Sequence, residues 1–323
     1  MTNSKLITKS SKPSKGAFDM ILEIRKAISN KFILIQFESE YILLALARCV
    51  KGKLNFNSVV KISLSPEEIE RYVPSVPEDT GTTLSKVIKE KGFLTLRSAA
   101  VISSEAAYSR LIELPSELSS KEAFNYILDP SSPLQIPIPL QSTDFDITPT
   151  SLILENLGKE YKKYLLTSIP KKSTNSILKT ITTAGLNLGK IDISYTCNLR
   201  LIREFLITLE ENVYAIQLEL LSDCTNITIA NKEGPLDVGR IAAIRDFPNP
   251  EDNKLKESGS NINKNSKSNN ENANKNTYLP ISKIDIKILI KETINFVRSF
   301  FEKNSKSGKI KVFLIGRNSL HPD

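Results

Sequence analysis

The sequence predicts an α/β protein, and three features point that way. Hairpins of β-branched residues at Lys31 to Cys49 and again at Val213 to Ala230 open two similar runs of elements. Segments with apolar residues at i and i+4 follow each hairpin, as amphipathic helices require. Apolar residues make up 40% of the 323-residue chain, enough for one large core or two ordinary ones.

The elements follow in order. Phe18 to Ile28 reads as a modest amphipathic helix inside a basic tail, residues 1–30, that is otherwise expected to be disordered. Lys31 to Phe37 and Tyr41 to Cys49 form the first hairpin, with Glu38, Ser39 and Glu40 between them, and Leu54 to Leu64 is a third strand. Ser65 and Pro66 offer a helix start, kept short by Pro74 and Pro77. Thr82 or Thr83 opens a helix from Leu84 to Lys91, which Gly92 ends.

The stretch from Leu96 to Ile147 reads strand, strand, helix, strand. Arg97 to Ser103 and Tyr108 to Leu114 are the first two strands, and Ser119 or Ser120 caps a helix whose face is Ala123, Phe124, Ile127 and Leu128. Pro130, Pro133, Pro137 and Pro139 forbid its continuation. Taken alone, this stretch is either ordinary core or a compact insert that carries a partner-binding surface.

Thr150 to Glu155 is a strand. Lys163 to Ile169, a helix through Ile177, Leu178, Ile181 and Ala184 closed by Gly185, and Leu188 to Ile193 suggest a βαβ unit with a parallel pair. Leu199 to Leu209 is a helix. Val213 to Leu220, Asn226 to Ala230 and Asp237 to Arg245 are strands. Residues 251–276 hold almost no apolar side chains and read as a disordered insert. Ile284 to Phe301 is a helix with Leu289, Ile290, Thr293, Val297, Phe300 and Phe301 inward, and Ile310 to Ile315 is a last strand ending at Gly316.

Several function classes are disfavoured. No run approaches the roughly eighteen apolar residues of a membrane span, and no signal-peptide core precedes the first strand, so the expected location is the cytoplasm. The net charge of +8 gathers toward the ends, and no nucleic-acid signature accompanies it. Cys49, Cys197 and Cys224 lack paired spacing and are expected to be buried free thiols, with no metal site. His321 is the only histidine and lies three residues from the end, so a Ser-His-Asp or Cys-His arrangement has no base. Neither GxxxxGK[ST] nor GxGxxG occurs.

The order of elements, with Ile112-Glu113-Leu114-Pro115, Ser119-Ser120-Lys121-Glu122-Ala123, Ile136-Pro137-Ile138-Pro139-Leu140 and Ala184-Gly185-Leu186, resembles the PilM-like family of type IV pilus assembly, within the actin-like superfamily that also contains FtsA. The resemblance runs from about residue 31 onward. It implies two ribonuclease-H-like halves around a cleft: 31–205, with a small α+β subdomain inserted at 96–148, and 206–323. The chain stops before the helix that follows the last loop in the family, so the second half is expected to be truncated at its C-terminus. The resemblance further implies a groove beside the inserted subdomain for the cytoplasmic tail of a PilN-like bitopic membrane protein, with contacts to other platform or motor proteins and peripheral membrane association through that partner. Recognition of an extended peptide needs backbone pairing and a few apolar pockets, and leaves no catalytic signature.

The family's phosphate loops place glycines for close backbone approach to phosphate, and a carboxylate for hydrated magnesium. Here Gln36 stands for the acid of the first loop, Glu38 for the glycine and Leu43 for the later lysine, and only Ser39 is kept. A carboxylate in the glycine position is bulky and repels phosphate. The second loop keeps Glu219, with Ser222 beyond it, but has Leu221 in place of glycine. At the nucleoside end Gly316 is kept and Arg317 replaces its partner glycine. The expected function is therefore a scaffold with a degenerate nucleotide site and no required cofactor. The alternatives are a working actin-like ATPase that holds ATP and magnesium, or an FtsA-like cell-division adaptor, which would carry a C-terminal amphipathic membrane helix.

Overall fold

The computed structural model describes residues 30–241 and 283–319, apart from 52, 66, 130, 133, 135, 137, 138, 157, 222, 223, 305, 317 and 318. The expected helix at Phe18 to Ile28, the basic tail up to residue 29 and the insert 251–276 lie outside the described residues. The chain divides into two compact units, one of residues 1–101 and 175–191, the other of 102–174 and 192–323.

The first unit is built on a five-stranded sheet in the order β10-β6-β1-β2-β3, from β1 (Lys31–Phe37), β2 (Tyr41–Val50), β3 (Lys53–Ser63), β6 (Arg97–Ile102) and β10 (Asn187–Ile193). Alternation dictates its buried face. Ile33, Ile35 and Phe37 stand opposite Leu46, Leu44 and Ile42 in an antiparallel ladder, and all six are buried. Helix α1 (Pro77–Glu90) places Thr80, Leu84 and Ile88 on its buried side, at i, i+4 and i+8. It runs against α3 (Lys171–Thr183), where the backbone of Gly81 reaches the Thr180 carbonyl. Gly92 and Gly185 follow these helices at positive φ, and the backbone bonds Phe93 N to Ile88 O and Leu186 N to Ile181 O close both ends.

Two expectations here fail. Ser65 and Glu68 exchange only the bonds of one turn, after which the chain forms β4 (Ile69–Glu70) and β5 (Val73–Pro74) in place of a helix. Buried Ile69, Tyr72 and Val73 anchor this small hairpin, and Pro74 has no N–H for a helix to use. Pro77, expected to stop a helix, instead occupies the first helical position of α1, where its missing N–H costs nothing.

In the second unit, β7 (Tyr108–Pro115), β8 (Thr143–Asn156) and β9 (Lys159–Pro170) make an antiparallel sheet in the order β7-β9-β8. Helix α2 (Ser120–Leu128) covers it. A capping box between Ser119 and Glu122 starts the helix. Ala123 and Ile127 then pack with Ile112, Leu114, Tyr164 and Leu166, and Phe124 stacks on Phe145 at 4.6 Å. Leu128, expected on the same face, is exposed. Pro149 sits in the edge strand β8, and the register jumps between Pro149 and Ile153, which is where a strand tolerates proline. The expected parallel βαβ pair does not form: β9 is the centre of this antiparallel sheet and β10 belongs to the five-stranded one.

A four-stranded sheet in the order β13-β12-β11-β14 completes the unit, from β11 (Val213–Leu220), β12 (Thr225–Asn231), β13 (Gly234–Ile241) and β14 (Lys309–Ile315). Every residue of β11 is buried because helices cover both faces. Tyr214, Ile216, Leu218 and Leu220 pack with Val297 and Phe300 of α5 (Lys283–Lys303). Val213 and Ala215 pack with Ile202 and Leu206 of α4 (Ser194–Ile207). Ile290, expected inward on α5, is exposed. Of the three cysteines, all free, only Cys224 is buried; Cys49 is exposed where β2 runs out, and Cys197 lies between these extremes.

Candidate functional site

The polar centre of the second unit is Glu219, near the end of β11, with 2% of its surface exposed. Strand alternation turns it toward α4, on the same face as Val213 and Ala215, so this face changes from apolar to polar along one strand. The start of α4 meets the polar part. Ser194 Oγ donates to Glu219 Oε1 at 2.6 Å, and Asn198, one turn on, donates to the same oxygen at 2.9 Å. Asn226 lies directly opposite in the β11–β12 ladder and donates to Oε2 at 2.8 Å. Three side-chain donors and the positive end of a helix therefore surround one acidic group.

The network extends outward from both ends. Ser104 and Ser194 hydroxyls are 2.7 Å apart, and the Tyr195 N–H donates to Ser104 Oγ at 2.9 Å. Asn226 Oδ1 accepts from Arg240 Nε at 3.1 Å, and Arg240 Nη2 donates to the Ser104 and Ala107 carbonyls. Residues from β11, β12, β13, α4 and the β6–β7 connection are thus tied through Glu219. With three bonds already accepted, its chemistry is that of a structural hub.

Tyr195 lies beside this hub with 1% of its surface exposed, its hydroxyl accepting from Thr228 Oγ1 at 3.1 Å. Burial pushes its hydroxyl far above the ordinary 10.0, the Thr228 bond opposes this, and Glu219 and Asp237 push it further up. Folding then disfavours the tyrosinate, so this stabilisation is complete below the ordinary value and is lost as pH rises toward the folded one. Urea titrations above pH 10 are expected to show a falling midpoint, with part of the fall removed in Tyr195→Phe.

The remaining residues predicted from the sequence fall as follows. Gln36 Nε2 donates to Glu38 Oε1 across the end of β1, and Glu38 N donates to Tyr41 O at 3.0 Å, closing the hairpin turn. Ser39 is exposed at the tip of that turn. Gly316 has φ +96, and a Cβ there would lie 2.6 Å from the Leu220 carbonyl, so glycine serves the close approach of the ends of β14 and β11. Ser222 and Arg317 lie outside the described residues. Sequence reasoning missed Ser104, Ser194, Asn198, Asn226 and Arg240. The one available signal was the i, i+4 pair Ser194 and Asn198 at a helix start.

No group of three or more His, Cys, Asp or Glu residues that could hold a metal ion occurs among the described residues. No helix among them is long and apolar enough to cross a membrane.

No protein-family profile and no curated protein matches the chain. Solved structures do. A chain of the PilM–PilN type IV pilus biogenesis complex superposes with a TM-score of 0.60 at 14% identity, covering 90% of this chain and 81% of that one. A Bacteroides thetaiotaomicron protein described as having an actin-like ATPase fold and unknown function matches with a TM-score of 0.40 at 10% identity, over 73% of this chain and 77% of that one. The chain has an actin-like fold, shared with that chain of the pilus complex. The resemblance read from element order and short motifs therefore holds at the level of the fold, across nearly all of the chain.

Proposed function

We propose that this chain is a scaffold of the type IV pilus inner-membrane assembly platform, which binds the cytoplasmic tail of a PilN-like membrane protein and uses no nucleotide. It lies at the cytoplasmic face of the membrane and is held there by its partner. The observation that carries this reading is the likeness, over 90% of the chain, to a chain of a PilM–PilN complex. The three-stranded sheet with α2 is the neighbourhood that receives the tail, together with other platform or motor proteins. Two features support the loss of nucleotide chemistry. The one acid kept in the phosphate loops, Glu219, is buried and engaged by three side chains. In the other loop, Gln36 and Glu38 bond to each other.

The experiment is a pull-down of the full chain with the immobilised cytoplasmic tail of the cell's own PilN-like protein. Retention that a scrambled tail does not reproduce is expected. Failure to bind with the chain folded and the tail intact removes the proposal.

A further inference from the structure

The described residues contain a second polar site that none of the three nucleotide-loop segments lines. A cavity of ≈ 300 Å³ lies between β7 and β13, and Ser109, Arg110, Asn226 and Arg240 contribute its polar lining, with the rings of Tyr108 and Tyr195 beside them. No carboxylate is among its lining residues. Neither guanidinium has an ion pair among the described residues. Both arginines are exposed residues of the cavity lining, where their like charges repel each other and an anion between them relieves that repulsion.

The hydrogen bonds show which donors remain. Arg240 spends Nε on Asn226 and Nη2 on the Ser104 and Ala107 carbonyls, which fixes the guanidinium plane and leaves Nη1 with two N–H groups. Asn226 donates its own amide to Glu219, so it stands between that acid and Arg240. Arg110 has no partner among the described residues, and the buried Ser109 hydroxyl has none either. The cavity thus combines a held guanidinium fork, a second free one and a hydroxyl donor, the donor set that suits tetrahedral oxyanions.

We infer that this cavity is an oxyanion site for phosphate or a phosphate-bearing group, seated between Arg110 and Arg240. Every residue in the site lies in one compact unit, and none belongs to the phosphate-loop segments. Tyr108, Ser109 and Arg110 come from β7, a strand of the sheet proposed to receive the tail, but phosphate binding is read out without the tail.

The test is a calorimetric titration of the full chain with inorganic phosphate, against sodium chloride of equal ionic strength. Saturable binding is expected in the wild type. Arg110→Gln, which loses no hydrogen bond or ion pair among the described residues, is expected to weaken it by roughly tenfold or more. Arg240→Lys keeps the charge but loses the fork, and weakens binding too. A second arm sediments the protein with phosphatidylglycerol vesicles. Vesicle binding that Arg110→Gln abolishes names a lipid headgroup as the source of the phosphate, and phosphate binding without vesicle binding names a soluble ligand. Phosphate no better than chloride, or equal phosphate affinity in Arg110→Gln, overturns the site.

Discussion

Glu219→Ala is expected to lower the stability of the second unit by roughly 3–5 kcal/mol, because it strands buried donors in addition to opening space. Ser194 and Asn198 would lose the oxygen they share, and Asn226 would lose its own acceptor while still held by Arg240. Glu219→Gln separates shape from charge. Its carbonyl can keep the bonds from Ser194 and Asn198, but its amide would face the Asn226 amide, donor against donor. A loss of about 1–2 kcal/mol is expected for it. Urea unfolding followed by circular dichroism checks both values. If Glu219 were held ready for a hydrated cation, the alanine variant would unfold within about 0.5 kcal/mol of the wild type, as open polar positions do.

The second large effect is expected at Gly81. An alanine Cβ there would lie 2.6 Å from both the Thr180 carbonyl oxygen and the Thr183 Cβ, so α1 and α3 would have to separate. Two terms oppose each other. Alanine improves helix propensity by about 1 kcal/mol. Overpacking of this kind costs about 1–3 kcal/mol, and the clash is with backbone, which cannot rotate away. Packing wins, so Gly81→Ala should lower the thermal midpoint and Gly81→Val should lower it further. A rise in the midpoint for Gly81→Ala would show that the two helices are not held at this spacing.

Much of the fold was legible because periodicity marks elements. The alternation in Lys31 to Phe37 and Tyr41 to Cys49 placed the first hairpin, and Ser119 with Glu122 placed the start of α2. Pairing was less legible. Strand β9 carries the same pattern whether its neighbour is β10 or β7, and the hairpin formed with β8 decides the matter. At Ser65 the local signal for a helix was sound but lost to the burial of Ile69, Tyr72 and Val73.

The polar network was almost wholly illegible. Its members lie at positions 104, 194, 198, 219, 226 and 240, and only the Glu219–Asn226 ladder pair follows from a hairpin register that sequence can suggest. Glu219 was picked out for the position it shares with an acid of the family's phosphate loop. The geometry around it is that of a group with three of its roughly four acceptor positions already used. The proposed function keeps the actin-like frame for binding a protein partner and dispenses with the nucleotide.

That claim is tested most directly by isothermal titration of the full chain with ATP in excess magnesium. No saturable heat up to millimolar ATP, beyond what inorganic phosphate alone produces, is expected. Tight, magnesium-dependent ATP binding would contradict it.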